Sequence, residues 1–230
     1  MKKFIVRLKS AYKRRIEDKI IFFLRNNYNR RKRKRLININ PSLITNNCSG
    51  GIICHDLGLK FNSPTVNLFM SADDFIKLVN NLEYYAKCEP IQVFREDAEY
   101  PVGILQRGGE IITLYFMHYR TFEEAKNKWI ERGARIDYNN INIIFEVASD
   151  LTRELYHAFE LLPYKNKVII TQPGTIKGED IIPMDIYKKN FCDGKIFLYQ
   201  GKFSPKRYLD KFDYVSFLNR NVKIEGKCDA

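Results

Sequence analysis

A chain of 230 residues with 45% hydrophobic and 13% aromatic residues can build a core without disulfides or a structural metal, which excludes a disordered protein. Five cysteines at irregular spacing fit free thiols in a reducing cytoplasm, not a disulfide scaffold. The formal charge of +12 sits at one end: residues 1–35 hold 15 Lys and Arg against two acids, and the other 195 residues carry a net −1, which disfavours a nucleic-acid track.

From the start, Phe4, Leu8, Tyr12, Ile16, Ile20 and Phe23/Leu24 recur every three or four residues with Lys and Arg between them, predicting an amphipathic helix. The apolar run at Ile20–Leu24 is too short for a secretory signal or a membrane span. The run Arg30-Arg31-Lys32-Arg33-Lys34-Arg35 repels itself, so it is expected to stay unpacked. Residues 1–35 therefore read as a basic arm suited to an anionic membrane surface, and residues 36–230 as a single α/β domain.

Within that domain, β-branched and aromatic runs at 43–46, 65–69, 91–94, 111–115, 141–146, 167–171, 195–199 and 214–218 read as strands. Helices are announced by Ser71 before Asp73-Asp74, by the capping box of Thr121 and Glu124, and by Ser149-Asp150 ahead of a stretch to Leu162. Strands alternating with helices predict a three-layer α/β/α sandwich around a mostly parallel sheet, and Gly108-Gly109 marks a hairpin that makes the sheet mixed.

Three constellations can carry chemistry. Asn46-Asn47-Cys48-Ser49-Gly50-Gly51 follows an apolar strand; its glycines and successive amides suit an anion nest, and Cys48 would be nucleophilic there if its pKa fell. The plainer reading is a tight turn with a half-buried thiol. His118-Tyr119 closes the run from Ile111 to Met117, where a ligand meets the carboxyl ends of parallel strands, and makes His118 the candidate base; otherwise it is a loop-bonded histidine. Glu124, Trp129, Arg132 and Arg135 lie on or just after one helix, where an indole can stack on a sugar and two arginines can clamp a diphosphate, or all can be ordinary core and ion-pairing residues. Absent are G-x-G-x-x-G, P-loop, H-E-x-x-H, G-x-S-x-G and Asp-x-Asp, and Cys48, Cys54 and His55 lack zinc spacing, so neither metal nor cofactor is expected.

Asn46-Asn47-Cys48-Ser49-Gly50-Gly51, Ser63-Pro64, Asp74-Phe75, Tyr100-Pro101-Val102-Gly103, His118-Tyr119 and Glu124-Ala125-x3-Trp129-x2-Arg132-x2-Arg135 occur in order. Together they resemble a bacterial family labelled exopolysaccharide biosynthesis protein, domain of unknown function nineteen-nineteen, over about residues 37–219. Where members carry an aromatic after the cysteine, this chain has Ser49. The resemblance implies a cytoplasmic or peripheral role in capsule or exopolysaccharide assembly, acting on a glycan or its lipid-linked precursor. Acyl-type transfer is the expected chemistry: His118 is the base, the amides of residues 48–51 stabilise the oxyanion, and Arg132 with Arg135 holds an anionic donor. A Cys48 covalent intermediate, glycosyl transfer and a non-catalytic adaptor are the other readings. Cys48 and His118 are expected in one pocket, and an approach of roughly 3 to 4 Å would mark direct base–nucleophile chemistry.

Overall fold

The computed structural model describes the backbone of residues 2–188 and 194–222, with side chains from residue 17 onward except residue 18. Cys192 and Cys228, and the predicted stripe at Phe4, Leu8, Tyr12 and Ile16, fall outside the described residues or side chains.

The chain opens with a long helix, α1 (Lys2–Arg35), followed by β1 (Ser42–Thr45) and α2 (Ser49–Leu57). Next come α3 (Ala72–Asn80), α4 (Leu82–Lys87) and three strands, β2 (Ile91–Val93), β3 (Val102–Arg107) and β4 (Glu110–Tyr115). Helix α5 (Phe122–Gly133) leads to β5 (Ile141–Val147), α6 (Arg153–Glu160), β6 (Lys167–Thr171), β7 (Ile181–Pro183) and finally α7 (Tyr214–Asn219).

Two sheets result. The larger is parallel throughout, in the order β1-β5-β6-β7, and the smaller is the antiparallel β2-β3-β4. Alternation along the parallel strands builds two cores. Ile44, Ile143, Phe145 and Ile169 face Phe75 of α3 and Phe159 of α6, while Leu43, Ile144, Val168 and Ile170 face Ile53 of α2 and Phe217 of α7. The protein is thus an α/β fold with helices on both faces of its parallel sheet. The hairpin at Gly108-Gly109, whose φ values of 53° and 87° require glycine, lies in the second sheet.

Some predicted elements change type. Residues 65–69 form no strand, because Asn67 turns to a φ of 66° and breaks the extension; only the Phe69–Tyr115 bridge survives. Residues 195–199 begin as a short 3-10 turn, Lys195–Phe197, after Gly194 at a φ of 80°. Residues 214–218 are helix α7, whose buried Tyr214, Val215, Phe217 and Leu218 follow helical spacing under an Asp213 cap that accepts from Ser216 N at 3.3 Å. The helix expected from Ser149-Asp150 is instead capped by Thr152, whose Oγ1 accepts from Leu155 N at 3.1 Å.

The largest correction concerns the basic run. It is helical to Arg35 and anchored to the domain, because Lys32 within it, and Arg25 and Asn29 just before it, are buried against carboxylates while its other members stay exposed. Arg25 bonds Asp56 and Asp210, Lys32 bonds Asp210, and Asn29 Nδ2 donates to Asp56 Oδ1 at 2.8 Å. Burial works against the charge on Arg25, but the bonds to these two acids prevail and raise its pKa. Self-repulsion is overcome by opposite charge supplied from far along the chain.

Candidate active site

Cys48 is the N-cap of α2, directly beyond the carboxyl end of β1. Its Sγ lies 3.1 Å from His118 Nε2. His118 arrives by a route other than the one expected: β4 belongs to the antiparallel sheet, so shared parallel strand ends do not bring the two together. The Phe69–Tyr115 bridge does, with reciprocal N–H···O bonds of 2.9 Å fastening the segment after α2 to the end of β4. A turn follows, in which Tyr119 N donates to Phe116 O at 3.0 Å, leaving His118 exposed.

Both residues line a cleft of about 870 Å³ with Asn47, Gly51, Ile52, His55, Phe61, Asn67, Phe69, Tyr100, Met117, Gly194, Phe197 and Arg207. Burial pushes the Cys48 thiol up to about 11, and the nearby Glu146 carboxylate adds to the rise. The predicted low pKa is therefore corrected: being at a helix N-terminus does not offset lost hydration and a neighbouring negative charge.

The expected amide nest is also largely occupied. Ser49 N donates to Asn47 Oδ1 at 3.0 Å and Gly50 N to Thr45 Oγ1 at 3.3 Å. Packing leaves no room for a side chain at Gly50 without a shift and little at Gly51. A Cβ on Gly50 would lie 2.8 Å from Thr45 Oγ1, and one on Gly51 would lie 3.1 Å from Asn67 Oδ1. Ser49 is fully buried, so no aromatic platform could stand there. Asn46 is also buried; its Nδ2 donates to Glu146 O at 2.8 Å and its Oδ1 accepts from Glu146 N at 2.9 Å, joining β1 to β5.

The residues predicted from α5 do not reach the cleft. Trp129, 1% exposed, donates from Nε1 to Cys88 O at 3.0 Å and belongs to the core. Arg135 pairs with Glu131 at 3.0 Å, and Glu124 is exposed on α5. Arg132 is 7% exposed and donates to Tyr119 Oη at 2.6 Å and Val66 O at 3.2 Å, while Tyr119 Oη donates to the same carbonyl at 3.1 Å. These two residues brace Val66, and thereby hold the left-handed Asn67 beside Gly51 in the cleft wall. They position the site without entering it.

Three participants escaped the sequence reading. Glu146 is buried below the cleft, where its carboxylate accepts from Asn47 Nδ2, Tyr187 Oη and Gly194 N, the last at 2.6 Å. Asn67 forms wall, and Arg207 lies at the cleft with Nη1 3.1 Å from Asp56 Oδ2. Glu146 is a buried acid in a strand whose other residues are apolar apart from Asn142, which is a readable anomaly; Asn67 and Arg207 stand in stretches with no local signal.

Among proteins of known sequence, a Haemophilus influenzae protein titled "Uncharacterized protein" is 34% identical over 191 residues, covering 83% of this chain and 90% of that protein. The pattern of the family "Domain of unknown function (DUF1919)" matches residues 19–219, so it takes in the packed half of α1 that the sequence reading had placed outside. A match over most of the chain, from the buried Arg25 through the Cys48–His118 pair to α7, makes this chain a member of the family of domain of unknown function DUF1919.

Proposed function

We propose that the protein is an acyl-type transferase that works through a thioester on Cys48, with His118 as base. The observation that carries this reading is the 3.1 Å approach of His118 Nε2 to Cys48 Sγ beside the cleft. As sulfur attacks the carbonyl of an activated acyl donor, the thiol proton passes to Nε2. The donor's leaving group departs with that proton, and the acyl group remains as a Cys48 thioester. An acceptor hydroxyl then gives its proton to His118 and attacks the thioester, which yields the acyl ester and restores the thiol. Positive potential at the start of α2 favours the charge developing beside Cys48.

The resemblance supports a glycan hydroxyl as acceptor, on a capsule or exopolysaccharide or its lipid-linked precursor. A peripheral position on anionic membrane belongs to the same proposal: Phe22 and Phe23 on α1 are 64% and 65% exposed, beside exposed Lys19, Arg30 and Arg31. Among the described residues no helix is long and apolar enough to cross a membrane. Glycosyl transfer has no evident use for a thiol paired with an imidazole.

The test is intact-mass analysis of the full-length protein after exposure to acyl thioesters. One acyl group should add at Cys48 and be lost in Cys48→Ala; in His118→Ala the rate should fall about 10²–10⁴-fold. A folded protein that stays unmodified with every donor would place the adaptor reading ahead.

A further inference from the structure

The cleft wall is chiefly apolar. Ile52, Phe61, Phe69, Tyr100, Met117 and Phe197 supply most of it, and they come from separate parts of the chain. Of its polar members, His55, Asn67 and His118 face the cleft, whereas Asn47 and Arg207 are committed elsewhere. Asn47 spends its amide on Glu146 and its oxygen on Ser49 N, while Arg207 bonds Asp56 and lies 5.3 Å over the Tyr199 ring. A sugar buried here would find partners for only part of its hydroxyls, at a cost its ring contacts would have to offset. An alkyl chain needs no such partners, and each methylene it buries strengthens binding by roughly fourfold.

We infer that this cleft binds a long apolar acyl chain and directs its carbonyl to Cys48. The inference rests on the acyl-transfer reading for the chemistry, whereas the chain site stands on the wall itself. It assigns the glycan to the open side and the acyl donor to the interior. A space of about 870 Å³ far exceeds the need of an acetyl group, and the apolar residues continue the same cavity that receives the thiol.

Two measurements test this separately. The first is equilibrium binding of saturated fatty acids of 6, 8, 10 and 12 carbons to full-length Cys48→Ala, which lacks the thiol but keeps the wall. Affinity should rise by roughly fourfold per methylene. Met117→Asp, at an exposed wall position, should weaken dodecanoate at least tenfold while circular dichroism stays unchanged. Affinity independent of length, or unaffected by Met117→Asp in a folded protein, overturns the chain site. The second is acylation of the wild-type thiol by acetyl and dodecanoyl thioesters, where the longer donor should react at least tenfold faster at limiting concentration. Equal rates overturn the chain preference and leave the thioester chemistry standing. Length-dependent binding without acylation by either donor supports the chain site and removes the transfer reaction.

Discussion

Cys48 shows how one side chain's surroundings set its chemistry. With its thiol pushed up to about 11, less than one molecule in a thousand carries a thiolate at neutral pH, so His118 must take the proton during reaction. In His118→Ala, which lacks that positioned base, iodoacetamide should therefore label Cys48 more slowly at pH 7 than the half-buried Cys88. In that variant the Cys48 rate should climb about tenfold per pH unit and level off only near pH 11, because the thiolate fraction grows until the raised pKa is passed. Peptide mapping of the alkylated sites over pH 7–11 reads this directly, and a plateau near pH 8 would contradict it. Cys54, buried and pushed up to about 12, should remain unlabelled in the native protein.

At the scale of the element, α1 has two faces with different tasks. Its inward residues Arg25, Asn29 and Lys32 bind Asp56 and Asp210, and its outward side presents Phe22 and Phe23 among basic residues. Membrane attachment is therefore better tested by substitution than by removing the helix. Phe22→Ser with Phe23→Ser should weaken binding to vesicles containing anionic lipid by tenfold or more, through lost apolar insertion, and leave thermal stability nearly unchanged. Cosedimentation and a melting curve measure the two quantities. Unchanged sedimentation of the double variant would dismiss this face as the membrane contact.

Across the whole molecule, the buried charges tie α1, α2 and the segment carrying Arg207 and Asp210 into one body. Asp56 lies on the helix that begins at Cys48, and it also accepts from Arg207 at the cleft. Removing one partner strands the others away from water, so Arg25→Met should cost about 3–5 kcal/mol, a fall in melting temperature on the order of 10 °C. Burial alone would raise the Asp210 pKa, but its bonds to Arg25 and Lys32 overcome that and hold it below the usual carboxylate value. Its contribution is complete above the unfolded pKa, about 4, and is lost as pH falls through the lower folded value. Asp210→Asn should remove this part of the acid-induced loss, as read from urea midpoints between pH 2 and 6.

What the sequence by itself determined was local: the parallel strands around residues 43–46, 141–146 and 167–171, the caps Ser71 and Thr121, and the turn at Gly108-Gly109. Each is written in hydrophobic alternation, a hydroxyl ahead of a helix, or a backbone conformation that favours glycine. The sequence also singled out Cys48 and His118, since both residue types are chemically distinctive and each follows an apolar run. Tertiary structure decided the rest. The bridge between Phe69 and Tyr115, with Met70 N donating to Asn46 O at 2.9 Å, helps bring those two side chains within 3.1 Å across two different sheets. Only packing turned Arg132 from a ligand clamp into a brace for Val66 and raised the Cys48 pKa. The basic run likewise became structural because Asp56 and Asp210, distant in sequence, supply the buried negative charge that accepts it. Desolvation and charge pairing depend on which distant groups share a buried space, and residue spacing along the chain does not specify that.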